Sequence, residues 1–194
     1  MRIGLFGGSF DPVHVGHVGA ARAAIGALSL DRLLFIPSRQ PPLKAKLCLA
    51  DGEQRLQMLA LATASEPRMA VSDVEIRRPG PSFTVDTATE LRCGYPADAQ
   101  FFFVLGSDCA DRLPRWKGID ALHAMLRFAI VARDGESVAG LDSRLIPVAM
   151  PPCPASSTAV RAACAAGLPS EGMLAPAVAR YIAEHGLYRE PVHG

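Results

Sequence analysis

Residues 7–17 read Gly-Gly-Ser-Phe-Asp-Pro-Val-His-Val-Gly-His. The apolar run Ile3 to Phe6 before them reads as a buried strand. Val18-Gly19-Ala20-Ala21-Arg22-Ala23-Ala24-Ile25 after them, rich in alanine and apolar at helical spacing, reads as a helix. A strand, a glycine turn and a helix in that order set backbone N–H groups at the carboxyl edge of a parallel sheet, where phosphate is favoured. His14 and His17, three residues apart where the helix begins, add donors at the same place. Glycine is expected there so that the chain can approach a ligand closely and take up positive φ.

Working outward, apolar strand candidates recur at 2–6, 31–37, 69–72, 100–105, 126–132 and 144–149. Helical patterns fall at 16–28, 51–64 and 84–92, with shorter ones near 107–112 and 118–123. That alternation predicts an α/β fold with a doubly wound, mainly parallel sheet covered on both faces. Phe101-Phe102-Phe103-Val104-Leu105 and Phe128-Ala129-Ile130-Val131 are apolar on both faces, as central parallel strands are. Two helices close the chain, Ser157 to Ala165 and Pro176 to His185. In the second, Ala177, Val178, Tyr181 and Ile182 share a face, and Gly186 suits a C-cap. Segments 38–50, 77–82 and 133–143 read as irregular.

The chain has 194 residues, enough for one domain with a substantial core. A formal net charge of +1 gives no electrostatic case for nucleic acid or an anionic membrane as the main partner. There is no apolar run of about 18 residues and no signal-peptide pattern, so a cytoplasmic location is expected. Five cysteines, with no C-x-x-C pair, argue against a disulfide framework or a structural zinc site and for reduced thiols. A homo-oligomer stays open.

Several groups could carry chemistry. Gly7, Gly8, Ser9 and Phe10 offer backbone N–H groups and a hydroxyl to phosphate or ribose, although a plain tight turn uses the same residues. Ser156, Ser157 and Thr158 open a helix, where hydroxyl residues often serve only as N-caps. Arg161, one turn on from Ser157, would turn free N–H groups and a guanidinium fork into a pyrophosphate clamp. Gly106-Ser107-Asp108 follows the most apolar strand; Asp108 either accepts from ribose hydroxyls or N-caps the next helix. Trp116, the one tryptophan, offers a stacking face or anchors a core. His17 is expected to face ligand and to make few core contacts.

Gly8 to His17 resembles the [ST]-F-D-P-x-H-x-G-H pattern of the nucleotidyltransferase superfamily, and Ala155-Ser156-Ser157-Thr158-Ala159-Val160-Arg161 is similar to its second motif, I-S-S-T-x-x-R. Within that group the chain is similar to bacterial nicotinate-nucleotide adenylyltransferases. Pro-Pro-x-Lys at 41–44, Pro-Ser-Phe-Thr-Val-Asp-Thr at 81–87, Leu-Gly-Ser-Asp at 105–108, Trp116 and the ending Tyr181 to Arg189 fall in that family's order.

The resemblance implies one Rossmann-like domain over 1–189 with short C-terminal helices and a tail at 190–194. It implies adenylyl transfer from ATP, with Mg²⁺, to nicotinate mononucleotide. His14, His17 and Lys44 would hold the triphosphate, and Arg161 its β- and γ-phosphates. Phe83, Thr84, Val85, Trp116 and Lys117 would bind the acceptor, through a stacking face and main-chain donors to its carboxylate. Leu43 stands where the family usually has histidine. Another acceptor, nicotinamide mononucleotide or phosphopantetheine, and a nucleotide-binding module without turnover are the alternatives.

Overall fold

The computed structural model describes residues 1–40, 48–132 and 142–189. Lys44, Leu43 and the tail at 190–194 lie outside them. Six strands pair in parallel in the order β3-β2-β1-β4-β5-β6. They are β1 (Arg2–Gly8), β2 (Arg32–Pro37), β3 (Met69–Val71), β4 (Gln100–Gly106), β5 (Arg127–Ala132) and β6 (Leu145–Ala149). All six fall where the apolar runs predict them.

The doubly apolar strands are explained by two cores, one on each face. Phe35, Phe102, Val104, Ala129 and Val131 point into one. Their neighbours Leu34, Ile36, Phe101, Phe103, Leu105, Phe128 and Ile130 point into the other, the two-residue period of a strand read twice. Pro147, which cannot donate to a ladder, sits in the edge strand β6.

The first core is closed by α1 (Val15–Ala27), α2 (Gly52–Thr63), α6 (Ser157–Ala165) and α7 (Pro176–Glu184). The second is closed by α3 (Val74–Arg77), α4 (Thr84–Arg92), a 3-10 helix (Ser107–Arg115) and α5 (Ile119–Met125). A capping box starts α2: Asp51 Oδ1 accepts from the Gln54 N–H at 2.8 Å, and Gln54 Oε1 from the Asp51 N–H at 2.9 Å.

Three expectations need correction. The segment expected as helix at 107–112 is a 3-10 helix running to Arg115, with Pro114 inside it. The single turn α3 has no sequence signal of its own. Val178 and Ile182 are the buried residues of α7, whereas Ala177 is exposed. Gly186, at φ 60°, lies one place beyond the C-cap His185 and turns the chain back.

Candidate active site

The sheet order reverses at β1 and β4, whose carboxyl ends diverge into helices on opposite faces. A ligand crevice is expected at such a point. Two hollows open there. The larger, about 580 Å³, is lined by Gly7 to Asp11, His14, His17, Gly106, Ser156, Ser157, Thr158 and Arg161 among others. The smaller, about 300 Å³, is lined by Glu75, Ser82, Phe83, Thr84, Arg112, Arg115, Trp116 and Lys117 among others. Gly7, Gly8, Ser9 and Cys109 line both, so the hollows meet over the glycine turn.

That turn differs from its expected form. Gly7 and Gly8 belong to β1, and the positive φ, 48°, falls on Phe10 instead. The two glycines are required by packing. A Cβ at Gly7 would stand 2.9 Å from Phe103 Cζ, and one at Gly8 would stand 2.9 Å from Phe10 Cζ. The Phe10 ring is a core residue, 2% exposed, edge-on to Phe6 and Phe35, while its residue still borders the larger hollow.

His14 is the N-cap of α1, and its Nδ1 accepts from the Gly16 N–H at 3.1 Å. His17 answers as the third helical residue: its Nδ1 accepts from the His14 N–H at 3.2 Å. A backbone N–H can only donate, so both Nδ1 atoms are acceptors and the hydrogen of each neutral imidazole sits on Nε2. The capping box therefore sets the tautomer of both rings, which lie 3.8 Å apart at 31°. Gly16 makes room for this: a Cβ there would meet His14 Nδ1 at 3.0 Å. The expectation that His17 makes few core contacts is wrong. Its ring packs edge-on against Phe10 at 5.0 Å and Phe6 at 6.3 Å.

On α6, Ser156 Oγ caps the helix by accepting from the Ala159 N–H at 3.1 Å. The Ser157 hydroxyl donates to the Pro12 carbonyl at 2.9 Å. Arg161 donates through Nη1 to the Asp11 carbonyl (2.6 Å) and through Nη2 to Thr158 Oγ1 (3.2 Å). Both partners are neutral oxygens, and Arg161 lines the larger hollow. Gly106 ends β4 there; the Asp108 side chain, like Lys44, lies outside what is described.

In the smaller hollow, Trp116 packs edge-on against Phe103 at 5.4 Å and Phe128 at 6.1 Å, so it is both core anchor and wall. No side chain caps α4, which leaves the amides of its first turn, at Thr84 and Val85, as donors. The Val85 side chain packs toward Gly118 and the second core instead of lining the hollow. Lys117 Nζ lies 4.4 Å over the Phe83 ring and 3.4 Å from Asp86 Oδ2.

Two residues of consequence are absent from the sequence reading. Arg55, 2% exposed, donates through Nη1 to the carbonyls of Ser9 (2.9 Å) and Ser38 (2.7 Å) and through Nε to those of Ala50 and Asp51 (both 3.2 Å). It ties the glycine turn to the end of β2 and the start of α2. An arginine on the buried face of α2, in line with Met58 and Leu59, was the available signal. Glu75, 7% exposed, accepts from the Thr87 hydroxyl at 2.8 Å. Burial pushes its carboxyl above the ordinary value, and hydrogen bonds from Thr87 and Ser82 draw it part of the way back.

Residues 5–163 match the cytidylyltransferase-like family. The chain is similar to the probable nicotinate-nucleotide adenylyltransferase of Thermus thermophilus, 42% identical over 97% of this chain and 100% of that one. It is also similar to that of Shouchella clausii, 40% identical over 96% of each. In fold it is similar to the Plasmodium falciparum nicotinic acid mononucleotide adenylyltransferase solved with NaAD. That match has a TM-score of 0.77 at 19% identity, covering 96% of this chain and 97% of that one.

Proposed function

The chain belongs to the nicotinate-nucleotide adenylyltransferases of the cytidylyltransferase-like family, and from that premise we propose how its two hollows divide the work. The reaction moves the adenylyl group of ATP to nicotinate mononucleotide, giving deamido-NAD and pyrophosphate, a step of NAD biosynthesis. An oxygen of the acceptor's phosphate attacks the α-phosphorus as the bond to the β-phosphate breaks. The nucleophile is already anionic, so no side-chain base is needed. What remains for the protein is positioning and charge stabilisation.

The larger hollow takes ATP. His14 and His17 donate from Nε2 to triphosphate oxygens, and Arg161 takes the β- and γ-phosphates with the N-termini of α1 and α6 behind them. Gly7 to Phe10 and Ser156 to Thr158 supply backbone donors, with hydroxyl donors at Ser156 and Thr158; the Ser157 hydroxyl stays on the Pro12 carbonyl. Gly106 and Asp108 are assigned to the ribose, and Lys44 to the triphosphate, on the family resemblance. Pyrophosphate gains charge as it leaves, and these donors strengthen with it. The smaller hollow takes the acceptor: Trp116 stacks on the pyridine ring, flanked by Phe83, and the amides of Thr84, Val85 and Lys117 meet the carboxylate. Arg112 and Arg115 add the positive charge an anionic mononucleotide needs.

Mg²⁺ accompanying the triphosphate would be held by phosphate oxygens and water and would offset phosphate charge. Among the described residues no group of three metal-ligating side chains would hold it otherwise. Asp11, the nearest carboxylate to the histidines in sequence, is occupied by hydrogen bonds from Leu49, Ala50 and Tyr188.

One observation carries the division: the hollows share Gly7, Gly8 and Ser9, so donor and acceptor phosphates meet over one turn. Pyrophosphate release from ATP tests it, measured with nicotinate mononucleotide, nicotinamide mononucleotide and phosphopantetheine in turn. Release is expected with the first. Equal or faster release with another acceptor overturns the assignment of the smaller hollow, and release with none leaves only a nucleotide-binding module.

A further inference from the structure

Asp11 is 6% exposed in the wall of the larger hollow, and its carboxylate accepts three hydrogen bonds. They come from the Leu49 N–H (2.8 Å), the Ala50 N–H (3.0 Å) and the Tyr188 hydroxyl (2.7 Å). The carbonyl of the same residue carries Arg161 Nη1, and the next carbonyl, that of Pro12, carries the Ser157 hydroxyl. Asp11 is thus where the turn leading to His14, the start of α2, the phosphate arm of α6 and the C-terminal segment are joined.

The path of that segment is built for the contact. Val178 and Ile182 fix α7 on the first core, Gly186 turns the chain at φ 60°, and the Leu187 N–H returns to the Ile182 carbonyl at 3.0 Å. Tyr188 then adopts φ 63°, a left-handed conformation that a non-glycine residue keeps only where its surroundings over-determine it. Burial and the Asp11 carboxylate hold its phenol well above the ordinary value, so it remains a donor at every working pH.

We propose that the Tyr188 hydroxyl is a positioning residue for adenylyl transfer. It fixes the Asp11 carboxylate, and through the Asp11–Pro12 backbone it sets the carbonyl on which Arg161 rests and the turn that presents His14. Without the hydroxyl, Asp11 Oδ1 keeps only the Ala50 N–H. The turn then loses its tie to the C-terminal segment and Arg161 loses a fixed support. The reading rests on the proposed role of Arg161 at the triphosphate.

Tyr188→Phe keeps the ring and deletes the bond, so the fold is retained. Displacing a catalytic group by about 1 Å can cost up to roughly 10²-fold, and kcat is expected to fall by about 10- to 100-fold. KM for nicotinate mononucleotide should stay within about twofold, because the acceptor is bound in the other hollow. In an Arg161→Lys background the same change should cost much less, the non-additivity of groups that act through one another. A merely structural tyrosine gives another pattern: a lower Tm, kcat per folded molecule unchanged, and full additivity with Arg161→Lys. That pattern overturns the proposal. ATP dissociation constants of wild type and variant, by calorimetry, keep the two readings apart. A wild type that turns over no nicotinate mononucleotide sinks the acceptor assignment alone, while equal ATP affinity together with unchanged kcat sinks the role of Tyr188.

Discussion

His17 does two things that substitution can separate. Its Nδ1 completes the capping box of α1 and its ring packs on Phe10, while its Nε2–H is assigned to the triphosphate. His17→Ala removes all three. The lost cap is worth about 0.5–1.5 kcal/mol and the lost ring contact about 0.5–1.5 kcal/mol. Together they come to about 1–3 kcal/mol, or about 2–12 °C in Tm for a chain of this length. Losing a donor to developing charge costs roughly 10²–10³ in turnover, about 2.7–4 kcal/mol. His17→Asn keeps an acceptor near the place of Nδ1 but loses the ring and has nothing at Nε2, so it should melt between alanine and wild type while losing turnover as severely as alanine. His17→Gln, whose amide nitrogen falls near Nε2, should show the reverse: a lower Tm and partly recovered turnover. Pyrophosphate-release kinetics and thermal melts on the three variants decide it. An asparagine variant that turns over at the wild-type rate would refute the donor role and leave His17 as a cap.

Arg161→Lys replaces a fork with a single ammonium that cannot hold the Asp11 carbonyl, Thr158 and a phosphate together. Loss of a charged hydrogen bond, about 1.5–3 kcal/mol, should lower kcat/KM for ATP by roughly tenfold or more; an unchanged value would show that charge alone suffices. Glu75 titrates with a raised value in the fold, so its protonated form contributes stability that is complete below its ordinary value of 4.5 and lost as pH rises through the raised one. Glu75→Gln should therefore gain Tm over wild type progressively as pH rises above 4.5, and parallel melting curves would contradict the sign. Nicotinate mononucleotide should be preferred to the amide by about tenfold or more, because the amide leaves a buried N–H facing an NH₂ group at a cost of about 1–3 kcal/mol. Comparable kcat/KM for both would remove the carboxylate from the α4 amides.

Strands were legible because a strand between two cores must be apolar on both faces, as Phe101 to Leu105 is. The two histidines were legible as a pair at the helix entry because they stand three residues apart in one local run; the capping box they form, and the room that Gly16 leaves for it, were not. The supports were not. Arg55 reaches Ser9 across 46 positions and Tyr188 reaches Asp11 across 177. Periodicity reports which face of an element is buried, and it carries no information on what a buried polar tip will meet. The positive φ was expected on a glycine for the same reason. Phe10 takes it because the surrounding aromatic rings hold its side chain in place, a tertiary cause that no local pattern records.

The strand order has a consequence for the nascent chain. β1 is made first, and its inner neighbour β4 arrives 98 residues later, where Arg2 meets Gln100. At roughly 5–20 residues per second, that edge waits about 5–20 s on the ribosome with its N–H and C=O groups unpaired beside Ile3 and Leu5. An open apolar edge is a template for the wrong strand, from this chain or another. Arg161 and Tyr188 emerge later still, so the N-terminal half can carry its histidines on a finished helix while the clamp that serves them is unmade. Slower translation between residues 37 and 100 should cost soluble yield, and slower translation after β4 has paired should not.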